Sequence, residues 1–419
     1  MSKKSNKGLV PKLRFPEFKD SGEWEKKKIG DLSQIVRGGS PRPIDEYITT
    51  DANGLNWLKI ADVDKESKYV TLTKERVLPS ALSKTREVNP GDLIMSNSMS
   101  FGRPYILTIK SCIHDGWIAV TQIDEQASRD YLYYLILSPK SQEYFMDNAA
   151  GSGVQNLNAE IIKLLEVPIP KYSEQQKIAD CLSSLDNLIT AEMQKLDKLK
   201  TYKKGLMQQL FPAEGETVPK LRFPEFRDRG EWMYKNGNLL FEPISNKDHN
   251  SDLPILAITQ EQGAVPRNMI DYYISVTDKS IESYKVVEVG DFIISLRSFQ
   301  GGIEYSYYKG ICSPAYIVLR KKSDEVHNHF YKYLFKSKRF IKDMNKNLEG
   351  IRDGKMVNYG QFSELFLPFP NLLEQKRIAD CLSFFDDLII AQSHRIETLK
   401  AHKKGLMQQL FPSVDEVDE

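Results

Sequence analysis

The chain has 419 residues, enough by a soft prior of roughly 150 per domain for two to three domains, each able to bury its own core. Lys and Arg total 58 against 57 Asp and Glu, so the net charge of +1 excludes a binder acting through bulk positive charge and confines any nucleic-acid site to a local patch. Apolar residues make up 41% and charged ones 27%, values of a globular protein, and no stretch approaches the roughly 18 consecutive apolar residues of a membrane span. No apolar run follows the basic start MSKKSNK, and the four cysteines lack CxxC or CxxH spacing. The expectation is a cytoplasmic protein with reduced thiols, without a disulfide frame or a zinc cage.

In chain order, residues 1–24 form a short opening segment with VPKLRFPEF at 10–18 and DSGEW at 20–24. Residues 25–172 carry short β-rich runs at 92–95, 105–109 and 117–122 and a helical stretch at 130–146, the pattern of a mixed α/β domain. Residues 173–212 read as one long helix. The opening motif returns inside 213–372, as VPKLRFPEF at 218–226 and DRGEW at 228–232, ahead of strands at 292–296 and 315–319 and a helical stretch at 329–347. A second long helix covers 373–412, and an acidic tail, 413–419, follows.

The two halves are copies. Residues 174–212 match 374–412 at 24 of 39 positions, at an offset of 200. Between the near-copies only a skeleton is shared: GDLIMS at 91–96 beside GDFIIS at 290–295, Ser100-Phe101 beside Ser298-Phe299, and VPIP at 167–170 beside LPFP at 367–370. Duplication kept only for stability predicts similar drift everywhere. A constant frame beside divergent modules predicts instead a pseudo-dimer in one chain whose two modules are read separately. Cys181 and Cys381, like Cys112 and Cys312, lie 200 apart and belong to this frame as small buried hydrophobes.

Each constant helix carries a heptad seam. In the first it runs through Ile178, Leu182, Leu185, Ile189, Leu196, Leu199, Leu206 and Leu210, interrupted by Glu192 and Lys203. In the second it runs through Ile378, Leu382, Phe385, Ile389, Ile396, Leu399, Leu406 and Leu410, interrupted by Gln392 and Lys403. A polar residue facing an apolar hole is costly, so polar should meet polar. An antiparallel coiled coil whose facing numbers sum to 595 does this: Glu192 meets Lys403 and Lys203 meets Gln392, while Leu185 meets Leu410, Ile189 meets Leu406, Leu196 meets Leu399, Leu199 meets Ile396 and Leu210 meets Phe385. The overlap from 185 to 210 spans about 39 Å at 1.5 Å per residue, close to the roughly 34–36 Å turn of duplex DNA. Gly205 and Gly405, each costing its helix about 1 kcal/mol relative to Ala, point to a bend or a tight contact in the last turn.

The duplicated LRFPEF segments (13–18 and 221–226), the EQQKIADCL and EQKRIADCL helix starts and the paired KGLMQQLFP ends resemble the specificity subunits of type I restriction-modification systems, over essentially the whole chain. In the first variable domain, GGSP at 38–41, WLKIAD at 57–62 and GSGVQNL at 151–157 look like the opening and closing of a target-recognition domain of that family. The second domain departs, with no GGSP tract and GIRDGK at 350–355 in the closing position. The resemblance implies a non-catalytic DNA-binding subunit that reads a bipartite double-stranded target, one half-site per variable domain, with the coiled coil fixing the gap. Two modification subunits would methylate adenine using S-adenosylmethionine, and two restriction subunits would add ATP- and Mg-dependent translocation and cleavage. This chain itself would take no cofactor.

The residues themselves contain no GxGxxG after a strand, no phosphate loop, no HExxH and no methyltransferase Asn-Pro-Pro-aromatic loop. Glu25-x-Lys27 reads as exposed charge, and His327 and His329 as a helix start rather than metal ligands. Base reading needs forked donors and acceptors on loops. Candidates in the first domain are Arg37, Ser40, Arg42, Lys59, Asn97, Ser98, Arg103, Gln155 and Asn156, with the tract 37–42 expected to expose backbone N–H groups to phosphate. In the second they are Gln260, Gln262, Arg267, Arg297, Gln300, Arg352 and Lys355. A bivalent adaptor gripping proteins or glycans on the same rod remains the alternative.

Overall fold

The computed structural model describes residues 9–64, 66–97, 102–149, 157–250, 252–270, 281–295, 298–346 and 357–412. The chain forms two units, Met1–Glu192 with Arg395–Glu419, and Met193–His394. The constant segments are continuous helices, a central one at Tyr172–Leu210 and a distal one at Leu372–Leu410. The division between the units falls within these helices, so each unit contains a variable domain and a part of both.

In the first unit a sheet of five strands runs in the order Gln34–Arg37, Trp117–Thr121, Leu93–Ser96, Pro104–Leu107, Tyr69–Val70. Its inner strands are buried on both faces, and the period of two sorts their side chains. Leu93, Met95, Ile106, Ile118 and Val120 face the core shared with the helices. Ile94, Tyr105, Leu107, Trp117 and Ala119 face a second core toward the outer sheet, whose order is Ile48–Thr49, Glu75–Val77, Leu55–Leu58, Ser111–Ile113, Arg86–Val88. The second unit repeats the inner layer as a four-stranded sheet, Phe241–Ile244, Ile317–Lys321, Phe292–Ile294, Glu304–Tyr305. Phe292, Ile294 and Leu319 turn to the helix core, and Ile293 and Val318 turn away. Among the described residues its outer layer is a hairpin, Leu256–Thr259 with Gly263–Pro266, and the pair Lys285–Val287 with Gly310–Cys312.

The helical stretch expected at 130–146 is two helices, Arg129–Ile136 and Pro139–Asn148. Pro139 lacks an N–H and cannot continue the first, and the Ser138 hydroxyl caps the second by accepting from the Ser141 N–H at 3.4 Å. The stretch at 329–347 is divided likewise into Asn328–Leu334 and Lys338–Lys346, with Ser337 accepting from the Phe340 N–H at 3.3 Å.

The constant motifs fasten each variable domain to the helices. Arg14 donates to both Glu174 carboxylate oxygens at 2.8 Å and to the Gly22 carbonyl at 2.6 Å. Arg222 repeats this on Glu374 at 2.7 and 2.9 Å and on Gly230 at 2.6 Å. The buried amide of Gln175 donates to Pro170 and Gln126 carbonyls and accepts from the Ser128 N–H; Gln375 does the same with Pro370, Glu325 and His327. The Leu13 N–H reaches the Gln409 carbonyl, as the Leu221 N–H reaches that of Gln209. The repeated LRFPEF and EQ residues are thus clamps, which accounts for their constancy beside diverged loops.

Within each unit the helices pair antiparallel, but one heptad from the expected register. Lys403 lies 2.5 Å from Asp186 and Arg395 lies 2.8 Å from Glu192 in the first unit; Lys203 pairs with Asp386 in the second. These partner numbers sum to 587–589 rather than 595. The expected pairs Glu192 with Lys403 and Lys203 with Gln392 do not form, and the facings of Leu185 with Leu410, Ile189 with Leu406 and Leu210 with Phe385 shift with them. The reason is a third partner. Each seam lysine meets an aspartate beside the seam whose other oxygen accepts a tyrosine hydroxyl from the variable domain: Tyr134 on Asp186 at 2.7 Å, Tyr333 on Asp386 at 2.6 Å. Matching polar seam positions of two helices alone omits that partner.

Cys112 and Cys312 are buried, and burial pushes their thiols up to about 11 and about 12; Cys181 and Cys381 are only half-buried. A Cβ added at Gly205 or Gly405 meets nothing within 4 Å, so neither glycine is explained by packing within this chain. No helix among the described residues is long and apolar enough to cross a membrane.

Candidate nucleic-acid interface

In the first unit the turn His114-Asp115-Gly116 between the strands Ser111–Ile113 and Trp117–Thr121 gathers four of the expected residues. The Asp115 carboxylate accepts from Ser40 Oγ at 2.8 Å and lies 3.5 Å from Arg42, whose side chain is 82% exposed. The Asp115 carbonyl accepts from Arg37 Nε and from the Asn97 amide, both at 3.0 Å. Burial pushes the Asp115 carboxyl up, but the Ser40 hydroxyl and the charges of His114, Arg37 and Arg42 outweigh it and hold the group below the usual carboxylate range. The resulting surface is a rim of Arg37 and Arg42 braced by one ionised aspartate.

The tract 37–42 is not the open cradle expected. The Gly38 N–H donates to the Trp117 carbonyl at 2.8 Å and the Gly39 N–H to the Ile113 carbonyl at 3.1 Å. These glycines allow close backbone approach: a Cβ on Gly38 would stand 2.1 Å from the His114 carbonyl oxygen. Asn97 is buried at 4% exposure, its amide used to hold the turn. Lys59 is half-buried and paired with Glu75, near enough to His114 for its charge to act on that imidazole, and Arg103 is half-buried with a 3.4 Å bond to the Ser67 carbonyl. Ser98, Gln155 and Asn156 lie outside the described residues.

In the second unit Gln260 and Gln262 are exposed at the tip of the hairpin, and Gln300 is exposed on the short helix Ser298–Gly301. The tip and helix touch: a Cβ on Gly301 would stand 2.6 Å from the Gln260 side chain. Arg267 is half-buried, its N–H donating to the Ile255 carbonyl. Arg297, Arg352 and Lys355 lie outside the described residues. His327 and His329 stand at the start of Asn328–Leu334 as read, with His329 Nε2 3.2 Å from the Tyr305 hydroxyl. Burial pushes both imidazoles down.

Sequence reasoning missed Asp115 as the organiser of the first rim, although an Asp-Gly between two apolar runs is a recognised turn signal. It also missed Lys336, which holds the second. Its ammonium donates to the Gln260 and Gly301 carbonyls at 3.2 and 3.0 Å and pairs with Glu304.

Two tandem α/β units on a duplicated helical frame, each presenting a different polar loop surface, define a protein with two unlike binding heads. The chain belongs to the type I restriction modification DNA specificity family, whose domain profile matches it twice, at residues 21–201 and 228–401. It is similar to the MjaVIII type I restriction enzyme specificity subunit of Methanocaldococcus jannaschii, 25% identical over 437 residues that cover 95% of this chain and 93% of that one. The putative MjaX specificity subunit of the same organism is 24% identical over 411 residues, 93% of each chain. In fold it resembles the type I S subunit crystal structure from M. genitalium, with TM-score 0.56 and 14% identity over 97% of this chain and 100% of that one. A chain from a structure of type I complex assembly and conformational transition gives TM-score 0.57 and 15% identity over 93% and 98%.

Proposed function

We propose that this chain is the specificity subunit of a type I restriction-modification complex. It reads a bipartite, asymmetric double-stranded DNA target, one half-site per unit, and directs adenine methylation and restriction by partner subunits. The carrying observation is the contrast between matched clamps, such as Arg14 on Glu174 and Arg222 on Glu374, and unmatched loop surfaces around Asp115 and Lys336. A symmetric frame holding unlike readers suits a target whose halves differ. A DNA specificity domain matched in both halves favours DNA over protein or glycan ligands.

In this reading the chain performs no chemistry, acts in the cytoplasm on DNA, and binds two modification subunits and two restriction subunits. S-adenosylmethionine, ATP and Mg belong to those partners. Arg37 and Arg42 grip phosphate, Gln260, Gln262 and Gln300 face bases, and the constant helices set the half-site gap. The test is co-purification followed by DNA binding. Two modification subunits per chain are expected, and log K should fall with log salt with a slope of about 0.9 per phosphate contact. A chain that captures no methyltransferase, and whose complex binds all duplexes alike, overturns the proposal. Removing one heptad from each helix, about 10.5 Å or some three base pairs, should shorten the tolerated gap.

A further inference from the structure

Lys336 follows the helix Asn328–Leu334 and draws together three pieces of the second unit that are distant in sequence. Its ammonium donates to the carbonyl of Gln260 at the hairpin tip and to that of Gly301 in the short helix, and pairs with Glu304 on the inner-sheet edge. The Glu304 side chain is 3% exposed and that of Lys336 27%, so the pair is shielded and its geometry constrained. The hairpin has a second attachment to the same strand. Gly263, at φ +75°, closes its turn with space for no side chain, since a Cβ would stand 2.6 Å from the Tyr305 carbonyl oxygen, and Ala264 bridges to Ser306.

Among the described residues the lysine–glutamate pair has no counterpart in the first unit, where the Gln142 amide instead donates to the Gly102 and Ile136 carbonyls at 3.1 and 2.7 Å. Aligning GDLIMS with GDFIIS places Ile94 level with Ile293, and their strand partners are Tyr105 and Glu304. Aligning the capping Ser138 with Ser337 places Leu137 where Lys336 stands. The lysine–glutamate pair is therefore a tyrosine and a leucine in the first unit, whereas the aspartate–tyrosine–lysine knots on the helices occur in both. A feature of the shared frame would be duplicated. One confined to a single unit belongs to what distinguishes the two readers.

We infer that Lys336 is a positioning residue for the second half-site, pinning the hairpin tip and the helix Ser298–Gly301 so that Gln260, Gln262 and Gln300 present one base-reading surface. The inference rests on the DNA reading proposed above. Lys336 does not itself touch DNA; it fixes the angle between two loops, and a wrong angle loses forked amide contacts while leaving phosphate grip intact.

The test uses the assembled complex with its modification subunits and duplexes carrying the methylated target with single-base changes in either half. Lys336→Met should lower discrimination in the second half-site by about tenfold or more and leave the first unchanged. Lys336→Arg, which keeps the charge and donors, should retain most of it. Gly301→Val, which leaves the ion pair but displaces Gln260, should reproduce the loss even if the methionine variant misfolds. The triple variant Gln260→Ala, Gln262→Ala, Gln300→Ala separates the two ideas. If it loses second-half discrimination while Lys336→Met and Gly301→Val do not, the positioning role is wrong and the DNA reading stands. If the triple variant discriminates normally, the DNA reading of these loops fails and takes this inference with it. Equal losses in both halves from Lys336→Met would mark a general folding role and also overturn it.

Discussion

Asp186 in the first unit offers a direct test of the helix register. Its carboxylate lies 2.5 Å from Lys403 and accepts the Tyr134 hydroxyl at 2.7 Å, with the Asp186 and Lys403 side chains 24% and 17% exposed. Removing one partner of a fully buried pair costs about 3–5 kcal/mol, and an exposed pair contributes about 0–1 kcal/mol. A group about one-fifth exposed falls between these, and the charge-assisted hydroxyl bond adds to the loss, so Asp186→Ala should destabilise by about 2–3 kcal/mol. In a double-mutant cycle read by urea denaturation, Asp186→Ala and Lys403→Ala should show a coupling of about 1–2 kcal/mol. Glu192→Ala and Lys403→Ala should add independently, because Glu192 is held by Arg395. The opposite pattern, strong coupling of Lys403 to Glu192 and none to Asp186, would restore the register in which facing numbers sum to 595 and refute the knot.

The corresponding Asp386 is subject to burial that pushes its carboxyl up, but bonds from Lys203 and Tyr333 and the Lys332 charge pull it below the usual range. A depressed folded value stabilises above the unfolded value of about 4 and loses that contribution as pH falls through the folded one. Asp386→Asn should therefore cost stability at pH 7, and the gap to the parent chain should shrink as pH falls below the unfolded value, whereas parallel urea midpoints throughout would count against the pairing. Gly38→Ala drives a Cβ into the His114 carbonyl and should destabilise the first unit by about 1–3 kcal/mol, abolishing first-half recognition while sparing the second. Gly205→Ala and Gly405→Ala, with nothing within 4 Å of either new Cβ, should each stabilise the isolated chain by about 0.5–1 kcal/mol in urea; destabilisation would show that these turns are not open.

What was legible in the sequence was what repeats or runs apolar. The 200-residue offset revealed the two helices, and short β-rich apolar runs revealed the inner strands, which are apolar on both faces because Leu93, Met95, Ile118 and Val120 face one core and Ile94, Trp117 and Ala119 another. The clamps were visible only as constant letters; that Arg14 and Gln175 bind the helix starts to the domains needed coordinates. The register went wrong because Tyr134 and Tyr333 come from outside the helices, and no two-strand pattern includes them. In the candidate interface, residue type identified Arg37, Arg42 and the exposed glutamines, but not their use. Gly38 and Gly39 were read as free donors, yet strand pairing consumes their N–H groups, and Asn97 is turned inward. Asp115 escaped notice although its Asp-Gly marks a turn, because a turn signal does not say which loops it braces, and Lys336 because a residue that positions others has no motif of its own.

The central claim, that one chain reads two unlike half-sites, is tested most directly by mapping methylated adenines across the genome of cells carrying the parent chain, no chain, or the Gln260, Gln262 and Gln300 alanine variant. The parent should give one bipartite asymmetric motif that disappears without the chain, and the variant should relax only one half of it. A methylation pattern indifferent to the chain, or a variant that alters both halves alike, would contradict the account.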